Sequence, residues 1–106
     1  MRRLMIVARL RPDAHDEAEV LLAGGPPFDP EELRLERHSA YLTASEVVFV
    51  FEGPEVEWTV NELIDDRQVA SFFEPWQKLI EGTPRLAHER FHWSEAEAKL
   101  GVGLGV

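Results

Sequence analysis

Two stretches of this chain are apolar on both alternating faces: LMIVARL from Leu4 to Leu10, and VVFVF from Val47 to Phe51, the latter closed by Glu46 in front and Glu52-Gly53-Pro54 behind. A β-strand sends successive side chains to opposite sides of its sheet. A strand apolar at both parities therefore needs cover on both sides. The chain has 106 residues, the size of one domain with one core. The two strands must lie at the centre of a single sheet, and something must cover each of its faces.

The segments between them supply the rest of the order. Arg11-Pro12 ends the first strand, since proline discourages further pairing. Asp13 is placed to cap a helix over DAHDEAEVLLAGG, with Asp16 and Glu17 suited to the positive end of its dipole. Gly24-Gly25-Pro26-Pro27 stops that helix, and Asp29-Pro30-Glu31-Glu32 suits one short helical turn. Leu35 to Thr43 mixes polar and apolar positions and joins VVFVF through Ala44-Ser45, as a hairpin does.

Beyond Gly53-Pro54, apolar residues recur at helical spacing, first Val56, Val60, Leu63 and Ile64, then Val69, Phe72, Phe73, Trp76, Leu79 and Ile80. This predicts a long second helix, broken at Asp65-Asp66 or at Pro75 and closed by Gly82-Thr83-Pro84. Leu86 to Trp93 reads as a fourth strand. The domain is expected over residues 1–93, with 94–106 as a tail.

The order β-α-β-β-α-β is that of the ferredoxin-like α+β fold, an antiparallel sheet in the order 4-1-3-2 with both helices on one face. Strands one and three are central in that order, as their patterning demands. The uncovered face would then hold Met5 and Val7, with either Val47, Phe49 and Phe51 or Val48 and Val50. Each large side chain left in water forfeits about 1.5–3 kcal/mol. A second copy packed sheet to sheet removes that cost and makes an isologous homodimer.

The element order, the two central strands, the EVVFVFEGP hairpin strand and the close WQKLIEGTPRLAHERFHW together resemble the dimeric α+β barrel superfamily over Leu4 to Trp93. That group contains antibiotic-biosynthesis-type monooxygenases, haem-degrading monooxygenases, polyketide cyclases and many small proteins of unassigned role. The resemblance implies a two-subunit barrel with a cleft between helices and sheet for a small apolar or aromatic molecule. The haem-degrading branch uses an asparagine on the first strand and a ligating histidine on the second long helix. Strand one here has no asparagine and no histidine lies between Glu55 and Glu81, so no cofactor is implied.

Composition narrows the partners. Twenty acidic against 11 basic residues give a formal charge of -9, which repels nucleic acid. With no cysteine there is neither a disulfide framework nor a thiolate metal site, and a cytoplasmic address is the expectation. The apolar run after Arg2-Arg3 is too short to span a membrane and Arg9 interrupts it, so it reads as a strand.

Four histidines, one tyrosine and the aromatic helix positions are the candidates for chemistry. His15 sits in an acidic helical turn and reads as a solvated residue. His38 shares parity with Ala40 and Leu42 and is the first candidate for a general base, since imidazole titrates near neutrality. Arg9, a charge inside a central strand, is expected to pair with Glu36, Glu52 or Glu89 or to clamp a ligand oxygen. Tyr41, of opposite parity to His38, could donate to such an oxygen. Trp58, Phe72, Phe73 and Trp76 can wall a ligand cleft or simply fill the core. His88 and His92 share a face of the predicted strand with Arg90 but cannot converge on one ion. A metal would need His38 to meet one of them across a subunit interface, and no metal site is expected. Two functions remain open: a cofactor-independent monooxygenase or cyclase, or a non-catalytic dimerisation or ligand-binding module.

Overall fold

The computed structural model describes residues 2–26, 28–65 and 74–96. In chain order the elements are β1 (Arg2–Leu10), α1 (His15–Ala23), β2 (Arg37–Leu42), β3 (Glu46–Gly53), α2 (Val56–Asp65), α3 (Glu74–Gln77) and β4 (Ile80–His88). The four strands form one antiparallel sheet in the order β2-β3-β1-β4, the expected ferredoxin-like order. The two doubly apolar strands, β1 and β3, pair with each other at its centre, from Arg2 opposite Gly53 to Arg9 opposite Glu46.

Register sorts every side chain between the two faces. Leu4, Phe51 and His38 lie abreast on one face, followed by Ile6, Phe49 and Ala40, then Ala8, Val47 and Leu42. This face carries the core, where Leu4, Ala8, Val47, Phe49 and Phe51 pack with Ala14 and Ala18 from α1 and its lead-in, Val56 and Val60 of α2, and Trp76 and Leu79 at α3. Alanine is the only residue that α1 buries fully, so the helix can approach the sheet closely. Met5, Val7, Val48 and Val50 alternate onto the other face and stand outside that core cluster, although Val50 is itself buried.

Three local expectations are corrected. Asp13 does not cap α1: Ala14 occupies the cap position, makes no side-chain cap bond, and is held by a turn in which its N–H donates to the Arg11 carbonyl at 3.0 Å. The second helical region stops at Gln77 instead of running on to Ile80, as the Leu79 N–H turns back to the Trp76 carbonyl at 2.9 Å. Gly82-Thr83-Pro84 therefore lies within β4, which runs Ile80–His88 instead of Leu86–Trp93. Gly82 takes φ 79° at a register shift where Val7 faces Arg85 but Arg9 faces Glu81. A glycine in the left-handed region absorbs the extra residues of such a bulge. Pro84 is tolerated because β4 is an edge strand.

The hairpin between β2 and β3 forms at Ala44-Ser45 as expected. The Thr43 hydroxyl oxygen accepts from the Glu46 N–H at 2.9 Å, and the Thr43 N–H donates to the Glu46 carbonyl at 2.8 Å. After Asp29, whose carboxylate accepts from the Glu31 N–H at 2.9 Å, residues 30–34 make a tight turn ended by Arg34 at φ 56°. The Arg34 carbonyl then passes so near Gly53 that a Cβ there would meet it at 3.1 Å. That close approach delivers the chain into β2 in register with β3. No helix among the described residues is long and apolar enough to cross a membrane.

Candidate functional site: a cavity around His38

On the helix-bearing face of the sheet, among the described residues, His38 meets open volume among aromatic side chains. His38 projects from β2 beside Phe51 and Phe49, with ring-centroid separations of 4.7 and 6.4 Å, and Phe28 closes on it at 5.1 Å. Leu22, Gly25, Pro26, Ala40 and Trp76 complete the lining of a cavity of about 250 Å³. The edge of Trp76 packs against the face of Phe49 at 5.1 Å and an interplanar angle of 87°. Among the described residues His38 is the sole ionisable group in this lining.

The chemistry of His38 follows from its partners. Nδ1 lies 2.9 Å from the Val50 carbonyl oxygen. A carbonyl only accepts, so Nδ1 carries the proton and, in the neutral ring, Nε2 carries the lone pair. Burial lowers the pKa of His38 from its ordinary value, and the bond to Val50 offsets part of that shift. Among the described residues no buried side-chain nitrogen or oxygen lacks a hydrogen-bond partner. Nε2 has no such partner there, so it is not sealed in the core but open to contact. The arrangement is a neutral base with an available lone pair at an aromatic wall.

The other expected site residues are dispersed. Trp76 lines the cavity and is 4% exposed. Trp58 is 62% exposed on the first turn of α2 and lines a separate surface groove with Pro54 and Val56. Phe72 and Phe73 lie outside the described residues. Arg9 and Tyr41 belong to the opposite side of the sheet from His38, Arg9 abreast of Glu46 and Glu81 and Tyr41 abreast of Val48. Arg9 thus stands opposite neither Glu52 nor Glu89, which engage Arg3 instead: Arg3 donates through Nε to Glu52 and through Nη1 to Glu89 at 3.4 Å. The bond to Glu52 raises the Arg3 pKa further above its usual value.

His88 and His92 do not share a strand face. β4 ends at His88, whose Nδ1 lies 3.5 Å from Glu57 of α2 on the helix side, whereas His92 Nδ1 lies 3.0 Å from Arg3 Nη1. A potential ligand cluster for a metal among the described residues joins His15, Asp16 and Glu19, with ligand atoms within 4.8 Å of one another. It is surface-borne at the start of α1, where the helix dipole opposes a cation.

Sequence reasoning missed Phe28, Leu22 and Phe49 as cavity walls. Phe28 is the one aromatic residue in the turn-rich stretch PPFDPEEL, and an isolated aromatic among prolines and acids was the available signal. A larger groove of about 400 Å³ between α1 and α3 is lined by Glu17, Val20, Leu21, Glu74, Pro75 and Lys78. It contains no buried reactive group among those residues, so the smaller cavity is the better candidate.

No protein-family model and no curated protein sequence matches the chain. Solved structures do. The chain is similar to an antibiotic biosynthesis monooxygenase (TM-score 0.63, 10% identity, covering 87% of this chain and 99% of that one). It is also similar to tetracenomycin F2 cyclase of Streptomyces glaucescens, a type-II polyketide cyclase (TM-score 0.66, 12% identity, 87% and 96%). A third similar structure is a nipsnap family protein of unknown function from Agrobacterium tumefaciens (TM-score 0.57, 17% identity, 87% and 91%). At these identities the likeness establishes the fold, in agreement with the sheet order.

Proposed function

We propose that this protein is a homodimer whose subunits each bind a small, largely apolar ring compound in the His38 cavity, and that His38 acts there as a general base in a cofactor-independent cyclisation or oxygenation. The observation that carries this reading is His38, its Nδ1 bonded to the Val50 carbonyl, in the lining of an aromatic-walled cavity. The fold it shares with a monooxygenase and a polyketide cyclase supports the reaction class, although such scaffolds host many activities. For cyclisation, Nε2 takes a proton from a carbon next to a carbonyl. The enolate carbon then bonds to a second carbonyl carbon of the same molecule, and the proton returns from imidazolium to the new alkoxide. In oxygenation the carbanion and the co-reactant dioxygen form a C–O bond, the peroxide anion takes the proton back from imidazolium, and the hydroperoxide loses water to leave a carbonyl at that carbon. Arg9 and Tyr41 have the opposite parity, so within one subunit they serve the sheet face and not this cavity.

That second face supports self-association. Its centre is apolar, with Met5 at 37% exposure beside half-buried Val7 and Val48 and buried Val50, and its charges balance: Arg3, Arg9, Arg37 and Arg85 stand among Glu46, Glu81, Glu89 and the buried Glu52. On a chain of net charge -9, a neutral face is where two copies meet with least repulsion. The lack of cysteine supports a cytoplasmic address.

Native mass spectrometry of the gently purified protein tests both parts. A dimer carrying extra small-molecule mass is expected, and Ala40→Phe, which fills the cavity, should lose that mass and keep the dimer. A monomer at micromolar concentration would remove the dimer reading. Retention of the ligand by Ala40→Phe would remove the cavity reading.

A further inference from the structure

We infer that the groove between α1 and α3 is a docking surface for a cationic amphipathic segment of another protein, one that carries lysine or arginine beside an apolar face. The inference is independent of the His38 reading, because the described linings of the two sites share no residue.

Glu17, Val20 and Leu21 stand at i, i+3 and i+4 on α1 and so share one side of that helix. Leu21 is half-buried against the core, whereas Val20 is 72% exposed, the most exposed large aliphatic side chain among the described residues. A single exposed valine needs no explanation. Here, however, Val20 and Leu21 face Pro75 across a groove of about 400 Å³, which makes an apolar strip open to water. Covering that strip with a partner's apolar side chains is favoured by the area removed from water.

Charge identifies the partner. Glu17 and Glu74 outnumber Lys78, the one cation of the described lining. Asp16 and Glu19 on α1, and Asp13 just before it, are all exposed. The last turn of α1 contains no basic residue, so the negative end of its dipole lies beside Val20 and Leu21 without a cation of its own. On the far side of the sheet arginines and glutamates balance, which leaves the excess behind the net charge of -9 outside that face. A second copy would bring like charge to the groove, while a cationic segment is drawn to it. Such a segment lays its apolar face on the strip and extends lysines or arginines toward Glu17 and Glu74.

Three blocked peptides of about 14 residues, titrated into the full chain labelled with 13C at its valine and leucine methyls, test the proposal. The first is built of lysine, leucine and alanine with the leucines on one helical face. The second has the same composition scrambled so that no apolar face remains, and the third carries glutamate in place of every lysine. The first is expected to shift the Val20 and Leu21 methyls, to bind at least about tenfold more tightly than either control, and to weaken as salt is added. Val20→Ser, and separately Glu17→Gln combined with Glu74→Gln, should each weaken it at least about threefold. The wild-type comparison of the three peptides decides the matter if a variant fails to fold. No binding by the first peptide overturns the inference, as does equal binding by either control. Binding that leaves Val20 and Leu21 unmoved would mean diffuse attraction to the acids and would also overturn it. Methyl shifts at Val20 and Leu21 on concentrating the protein alone would make a second copy the occupant, against the proposal.

Discussion

At the scale of single residues, His38 is where structure turns a common side chain into a specific one. Its fully neutral form suits the folded state, because burial lowers its pKa below the ordinary value while the unfolded chain keeps a pKa near 6.5. Folded and unfolded states bind protons equally above that unfolded value, so stability there is at its full level. As pH falls below it, the unfolded chain takes up a proton first and stability is lost until the depressed folded pKa is passed. The expected slope from this group is at most about 1.4 kcal/mol per pH unit. Urea denaturation of wild type and His38→Phe between neutral and mildly acidic pH should show a shallower decline in the variant; parallel curves would mean that His38 charges equally in both states. Phe51, fully buried and in ring contact with both His38 and Phe28, supports the same wall. Phe51→Ala should cost about 3–5 kcal/mol of stability by denaturant unfolding, and a loss below 1 kcal/mol would contradict its place in the core.

Among the elements, β4 is the most instructive. Its sequence contains Gly82 and Pro84, which read as a helix stop, yet both lie in the strand. A glycine at positive φ serves a bulge as well as a turn, and proline is harmful only where a ladder bond is needed. The distinction depends on the neighbouring strand: β1 holds β4 on both sides of the shift, at Val7 and at Arg9. No atom lies within 4 Å of a Cβ built at Gly82, so Gly82→Ala tests conformation without a clash. It should destabilise by about 1–2 kcal/mol in thermal or chemical unfolding; an unchanged midpoint would show that the bulge does not need the left-handed conformation. The same strand explains the separation of His88 from His92. Alternation lasts only as long as pairing does, and β4 ends at His88.

For the whole molecule, the central question is what covers the second face of the sheet. One face is buried beneath the helices, while the other combines an apolar middle with balanced charge at its ends. Met5→Glu places an acid at the centre of that face on an already acidic chain. Sedimentation velocity should show the wild type as a dimer and Met5→Glu as a monomer with an unchanged far-UV circular dichroism spectrum. A wild-type monomer, or a variant dimer of undiminished affinity, would send the search for the cover elsewhere.

The order of elements and the choice of central strands were determined by sequence alone. Only β1 and β3 are apolar at both parities, and parity is a local property of an extended chain. The same rule put His38 with Ala40 and Leu42 and set Tyr41 apart. Tertiary structure decided what no periodicity encodes: that Phe28, reached through a turn-rich loop, closes on His38, that Trp76 lines the cavity while Trp58 stands in solvent, and that Arg3 rather than Arg9 holds Glu52. These are contacts between residues far apart in the chain, fixed by register and by the path of loops. The tautomer of His38 is of the same kind, because it is set by a carbonyl 12 residues away that comes within 2.9 Å only when β2 lies against β3.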